Sequence, residues 1–389
     1  MAAQQSYRHH YVPQWYQRRF LAPGGTAFKV LDMKPDVFRD KAGNVKYGRS
    51  ILDKGPNAWF FESELYTVRA FGMANGDIET MLFGAIDLAG KAAIDALVNE
   101  DWDGMHKTYP DVFEYMDAQR LRTPKGLAFL ARIARARDQY ELMMQMQRLR
   151  RMHCTMWGEG ILEIFSSENA GVDFIFSDHP VTFFNRFVFP QDRRVPAGQD
   201  ALHPWMGTQT VFPLSRDKLL VITHLEWARK QGERRAVKKR TNARLFDNPI
   251  VRYDDVRRGR QLSAKQVREV NLIVKLRAQR YIAGNSEDDL YPEKHLKTTV
   301  WNKLGLFLMP DPVHVCMQGG SMFLKTNDGR YVFQDEFGRR PKSREEYEAK
   351  VKEAEAMEAH FRRLIARHDA EQAERESERD SARVSAREA

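Results

Sequence analysis

VDFIFSDHPVTFF, residues 172–184, is the stretch at which the hydrophobic period of the chain changes. Upstream, apolar residues recur at helical spacing. Here Val172, Phe174, Ile175 and Phe176 make a near-continuous apolar run that reads as a buried strand. Ser177-Asp178-His179-Pro180 then reads as a turn, and Val181-Thr182-Phe183-Phe184 as a second extended piece. TVFPLS (210–215) and KLLVIT (218–223) continue as strands, and the polar stretch QDRRVPAGQDALHPW (191–205) before them reads as a long loop over a pocket. Helical and strand segments do not alternate regularly, which argues against a doubly wound parallel sheet. The expectation is an α+β fold: a mainly helical core with small antiparallel sheets.

Toward the N-terminus, residues 125–165 contain no proline and predict one or two long helices, interrupted at Gly158 and Gly160. Thr123-Pro124 suits their start, because proline fits the first helical turn. Two further helices are predicted over IETMLFGAIDLAGKAAIDALV (78–98) and around VFEYMDAQRLR (112–122). AFKVLDM, VKYGRS and FFESELYTV suggest a small antiparallel sheet in the first seventy or so residues, with Asp40 to Asn44 as a hairpin tip. Toward the C-terminus, Ser263 caps a helix over 264–283, and SMFLKTNDGRYVFQD (321–335) reads as a hairpin with an Asn-Asp-Gly turn. The predicted organisation is a core domain over 1–290, an accessory region over 291–372 with a hairpin and a charged C-terminal helix, and a disordered tail over 373–389.

Of the 389 residues, 42% are hydrophobic and 11% aromatic, enough for a substantial core and too many for wholesale disorder. No apolar run is long enough to cross a bilayer and the start does not resemble a signal peptide, so a cytoplasmic protein with no membrane partner is expected. The two cysteines, Cys154 and Cys316, make neither a CxxC zinc site nor a disulfide framework. The net charge of +9 is localised: residues 229–280 hold 17 Lys and Arg against 5 Asp and Glu, so the rest of the chain is slightly acidic. Arg234, Arg235, Lys238, Lys239, Arg240, Arg257 and Arg258 form the footprint expected of a nucleic-acid contact. A solvated face would use the same residues.

Walker, GxGxxG, HExxH and GxSxG motifs are all missing from the sequence. HHYVPQWYQRRF (9–20) instead places two imidazoles beside a proline and several aromatics, and His10 is a candidate for proton transfer. Asp178-His179 at a strand end is placed for metal binding or base catalysis, although the same turn can be purely structural. Gln119 and Arg122 share a helix face and could grip a phosphate or carboxylate, or belong to a buried hydrogen-bond network. Glu62 and Glu79 are further candidate metal ligands, with helix capping the simpler role for Glu79.

HHYVPQWYQRRF, DAQRLRTP (117–124), FSDHPV (176–181), TVFPLS with KLLVIT, and VNLIVKLRAQRYI (270–282), in that order, resemble the prokaryotic family known as domain of unknown function 4238. The resemblance implies that His10, Pro13, Tyr16, Phe20, Gln119, Arg122, Asp178, Pro180, Asn271 and Arg280 belong to one pattern. It also places His179 where family members often carry asparagine, so His179 is not expected to be an essential base.

The leading expectation is a hydrolase acting on nucleic acid or a nucleotide, a metal-dependent nuclease or phosphodiesterase of the kind used in bacterial defence. His10, Asp178, Arg122 and Gln119 would be its catalytic residues, and Asp178, Glu62 and Glu79 would hold Mg²⁺ or Mn²⁺. The alternatives are a non-catalytic nucleic-acid-binding protein and a protein that docks a partner through its C-terminal helix.

Overall fold

The computed structural model describes residues 8–40, 43–70, 73–75, 83–158, 160–196, 198–203, 205, 207–223, 257–309, 322–325, 330–334 and, in part, 341–370. Described residues up to 309 form one compact unit, and those from 322 onward form a second.

The first unit is layered around a five-stranded sheet. Its strands are β9 (Ile161–Ser166), β11 (Thr182–Asn185), β12 (Thr208–Pro213), β13 (Lys218–Thr223) and β14 (Arg257–Gln261), in the order β11-β12-β13-β9-β14. All neighbours are antiparallel except β14, which runs parallel to β9. Successive residues of a strand point to opposite faces, and here both faces are apolar. Leu220, Ile222, Ile164, Phe212 and Phe183 enter one core, while Leu219, Val221, Phe165, Val211 and Phe184 enter another. That double burial explains why KLLVIT reads as an unbroken apolar run.

The first core receives the N-terminal motif and the helices. Strand β1 (Arg8–His10) leads into the short helix α1 (Gln14–Gln17), and Tyr16, fully buried, donates its hydroxyl to the Pro213 carbonyl at 2.6 Å. Tyr16, Phe20, Phe28, Phe60, Phe176 and Phe212 form a continuous aromatic cluster. Helices α2 (Gly84–Val98), α3 (Trp102–Leu121), α4 (Pro124–Ala134), α5 (Gln139–Leu149) and α6 (Cys154–Gly158) follow. The second core is closed by α7 (Ala264–Arg277), whose start carries a Ser263–Gln266 capping box.

A second sheet, in the order β10-β15-β2-β5, joins β2 (Phe28–Asp32), β5 (Ile51–Lys54), β10 (Phe176–Ser177) and β15 (Tyr281–Gly284). The Asp178-His179-Pro180 turn is therefore the point where the chain leaves one sheet and enters the other. Three two-stranded ribbons complete this unit: β1 with β6 (Phe61–Ser63), β3 (Val37–Arg39) with β4 (Val45–Tyr47), and β7 (Val68–Ala70) with β8 (Met73–Asn75). In the second unit β16 (Met322–Lys325) pairs with β17 (Tyr331–Gln334), and residues 344–356 are helical.

The α+β class holds, with three corrections. A sheet, not a helical layer, separates the two cores. The proline-free segment 125–165 breaks into three helices and then becomes strand β9, whose Ile161, Ile164 and Phe165 suit a doubly buried strand. The late helix stops at Arg277 and the chain re-emerges as β15, so 278–283 is not helical. In addition, residues 292–308, expected to open an accessory region, pack Trp301, Leu304 and Leu308 into the second core of the first unit. The tail over 373–389 lies outside the described residues. Among the described residues no helix is long and apolar enough to cross a membrane.

Candidate anion site beneath the 186–207 loop

The residues singled out in the sequence divide into two buried polar groups. In the first, Gln119 donates to the Tyr11 carbonyl at 2.8 Å and accepts from Arg122 Nε at 2.9 Å. Arg122, 1% exposed, grips Asp87 through both terminal nitrogens at 3.0 and 2.8 Å, and its own carbonyl accepts from the Tyr66 hydroxyl. Burial works against the charge of Arg122, but the Asp87 carboxylate outweighs it and raises its pKa. The side chains of Gln119 and Arg122 thus serve a buried network that ties α3 to the N-terminal segment and α2.

Asp178 is equally committed. One carboxylate oxygen accepts from Gln279 N at 2.8 Å, and the other from Arg280 N and Tyr281 N at 2.6 and 2.8 Å. Burial lifts its pKa above the ordinary carboxylate value while these donors oppose the rise. It therefore staples the end of α7 and the start of β15 to the sheet crossover. His10 lies against Phe61 with its pKa lowered by burial, against the pull of the Asn57 backbone. No hydrogen bond joins His10 to Asp178 among the described residues, although Tyr11, next to His10 in the chain, and Glu62 both feel the charge of Asp178. The carboxyl group of Glu62, on β6, feels burial and the charge of Asp178, both of which raise its pKa.

Glu79 lies outside the described residues, as do Arg234, Arg235, Lys238, Lys239 and Arg240. Arg257 and Arg258 begin β14, and Arg258 is half-buried. Among the described residues no three His, Cys, Asp or Glu side chains are grouped to hold a metal ion.

The second group gathers around a residue the sequence reading did not single out, Asp200. Its carboxylate is completely buried. Oδ1 accepts from Lys125 Nζ at 2.6 Å and from Arg277 Nε and Nη2 at 2.9 and 2.6 Å. Oδ2 accepts from Arg120 Nη1 at 2.7 Å. Burial alone would raise the Asp200 pKa, but Lys125, Arg277 and Arg120 hold it well below the carboxylate range. Three cations thus surround one carboxylate. Asp117 acts on Arg120 from behind, although its oxygens already accept from Arg151 N and His153 N.

Local structure explains how these side chains meet. Thr123 caps α4 by accepting from Gly126 N at 3.1 Å, which sets Lys125 in the first turn. A Cβ at position 126 would collide with the carbonyl oxygens of Arg120 and Leu121, so the tight α3–α4 corner requires glycine. Arg277 ends α7, and its carbonyl accepts from Lys125 Nζ at 2.6 Å, a favourable place for a cation at a helix C-terminus.

His179 completes the group: Arg120 Nη1 lies 2.9 Å from its Nε2, and the Thr123 hydroxyl 2.6 Å from its Nδ1. A guanidinium nitrogen offers no lone pair, so an unprotonated Nε2 accepts from Arg120 with Nδ1–H donating to Thr123, whereas a protonated Nε2 faces Asp200 Oδ2 3.5 Å away. Burial pushes the His179 pKa down to about 3, against the pull of Asp200, so the ring is neutral at ordinary pH.

In front of Lys125 and Arg277 lies a cavity of about 340 Å³. Their side chains, each 5% exposed, form its floor. Pro190, Val195 and the exposed Arg193 of the loop form its cover, and Leu276 and Ala278 its apolar side. The loop carries its own small core of Val188, Val195, Ala201 and Trp205, which holds it in shape over the opening. Burial lowers the Lys125 pKa to about 8, with Asp200 opposing and Arg277 assisting the drop. The floor of the cavity is therefore cationic below pH 8, where Lys125 keeps its proton, while Asp192, an ionised carboxylate held low by Arg194, also lines the cavity.

Residues 159–288 match the family described as protein of unknown function (DUF4238). That segment, about a third of the chain, is similar to the family. The match takes in β9 to β15, α7, the loop, Asp178, Asp200 and Arg277, whereas Arg120 and Lys125 come from outside it. No curated protein and no solved structure matches the chain.

Proposed function

We propose that the protein recognises a phosphate-bearing ligand, a nucleotide or the phosphate end of a nucleic acid, in the cavity floored by Lys125 and Arg277. The observation that carries this reading is that Lys125 and Arg277, two buried cations that share Asp200 with Arg120 as their directly bonded carboxylate, also face the cavity; Asp117 acts on Arg120 and Asp178 on Lys125 only through space. Buried charge is costly unless paired, and an anion in the cavity would give Lys125 and Arg277 a second partner beside Asp200. Arginine beside lysine suits a tetrahedral oxyanion, since the guanidinium offers a planar fork and the ammonium a compact charge. The basic stretch 229–280, which includes Arg277, has the charge that suits an anionic partner.

The binding reading is preferred to the metal-dependent hydrolase because Asp178 spends its oxygens on three backbone N–H groups. In the preferred reading Lys125 and Arg277 neutralise the phosphate, Arg193 closes over it, and Pro190, Val195 and Leu276 keep water from its outer side.

Calorimetric titration with sulfate, inorganic phosphate, nucleoside mono- and triphosphates, and a 5′-phosphorylated oligonucleotide tests the proposal. Saturable binding that weakens in Lys125→Met and Arg193→Ala supports it, and the best-bound ligand separates free nucleotide from nucleic-acid end. Absence of binding by any of these anions, or equal binding by wild type and folded variants, overturns it.

A further inference from the structure

The β3–β4 ribbon has no role in the cavity or in either core. All six of its strand residues are exposed, among them Val37, Phe38, Val45 and Tyr47, with Tyr47 69% exposed. A two-stranded ribbon with no covered face is marginal by itself, and bare aromatic side chains at such a place mark a contact surface. We infer that this ribbon is a docking arm for single-stranded nucleic acid, a role that does not rest on the cavity.

The register supports that occupant. Val37 pairs with Tyr47, Phe38 with Lys46 and Arg39 with Val45. Paired residues of an antiparallel ribbon share a face, and successive residues alternate. One face therefore presents Tyr47 and Arg39, and the other Phe38 and Lys46. Each face combines an aromatic ring with a cation, the combination by which unpaired bases stack while phosphates are neutralised.

The surrounding charge has the matching sign. Lys34, Arg39, Lys46 and Arg49 are exposed, while the two carboxylates are engaged within the protein. Asp36, 84% exposed, accepts from Arg280 at 2.8 Å, and Asp40 accepts from Asn44 N at 2.9 Å while its other oxygen lies 3.9 Å from Lys46 Nζ, so four cations face two carboxylates and the excess is positive. A lipid surface is the weaker fit, because it covers one face and this ribbon is apolar on both. A second copy of the chain would bring like charges together along the open strand edges.

The test uses the full chain, a fluorescent single-stranded oligonucleotide of roughly twelve nucleotides, its duplex, and vesicles of phosphatidylcholine with phosphatidylserine. Wild type is compared with F38A/Y47A and R39E/K46E, whose fold should be unaffected because the side chains are exposed; thermal melting checks this. The expected result is single-strand binding that is weakened about tenfold or more in F38A/Y47A, with a shallower salt dependence in R39E/K46E. Failure of the wild type to bind the single strand overturns the inference. So does F38A/Y47A binding as tightly as wild type, or a loss confined to vesicles.

Discussion

Asp178 and Asp200 are both buried carboxylates inside the family-matched segment, yet they do opposite things. Asp178 is saturated by the backbone, with three N–H donors for two oxygens, and among the described residues Lys125 acts on it only through space. Its neighbourhood is closed, and its work is to fix the corner between α7 and β15. Asp200 is saturated by side-chain cations, two of which also face a cavity. A carboxylate held by backbone positions the chain, whereas one held by side-chain cations positions charge. Only the second arrangement leaves charge available to a ligand, and that is why the site is assigned there.

The largest expected effect breaks the Asp200 cluster. Asp200→Ala leaves Arg120, Lys125 and Arg277 buried without their shared partner, and should cost about 3–5 kcal/mol in urea unfolding. A loss below about 1 kcal/mol would mean that water already screens these cations and that the cluster is not a buried one. The next effect concerns the closed corner. Asp178→Ala strands three N–H groups and should cost about 2–4 kcal/mol, while sulfate affinity of the folded protein stays unchanged. If sulfate affinity falls and stability does not, the two carboxylates have been assigned the wrong way round.

Much of this frame was legible in the sequence. The apolar run at 172–184 is buried as expected but is strand only at Phe176–Ser177 and Thr182–Asn185, whereas the Thr123-Pro124 helix start and the Ser263 cap read directly, because capping is local. The 191–205 loop over a pocket was legible for the same reason: a long polar stretch between apolar strands has to lie outside. The Asp178 turn was visible, but its partners were not, since the N–H groups of 279–281 reach it only through the pairing of β10 with β15.

Asp200, Lys125 and Arg277 were missed because none stands in a local motif, and they meet only when α4, α7 and the loop pack together. One signal was available: a lysine directly after Thr123-Pro124 must lie in a helix's first turn, where a cation is unfavourable unless a carboxylate compensates. Strand β9 was misread because a short apolar run fits a buried strand and a buried helix equally well.

Titration of Lys125 sharpens the comparison with a smaller effect. Its pKa is lowered to about 8, so it is cationic below that pH and neutral above it. Affinity for sulfate, whose charge is constant over this range, should therefore be full at pH 6.5 and fall above pH 8, by at most about tenfold per pH unit for one proton. Bound sulfate favours the protonated lysine and should move the midpoint upward. Lys125→Arg should flatten the profile, because a guanidinium keeps its charge throughout. A wild-type profile that is flat from pH 6.5 to 9.5 would remove Lys125 from the anion's surroundings.

The smallest effect belongs to Arg193, which lines the cavity from the exposed loop while Lys125 and Arg277 line it from the interior. An exposed cation contributes weakly to folding, so Arg193→Ala should leave stability within about 0.5 kcal/mol of wild type. Its contribution to binding passes through water and is screened by salt, so sulfate affinity should fall only a few-fold, and less at high ionic strength. The floor cations are shielded from solvent, and the part of the affinity that survives in Arg193→Ala should be the less salt-sensitive part. Calorimetry of wild type and variant at low and high potassium chloride measures that split. Equal salt sensitivity in the two proteins would place the bound anion at the rim of the loop instead of on the buried pair, and would undo the distinction between an interior floor and an exposed cover.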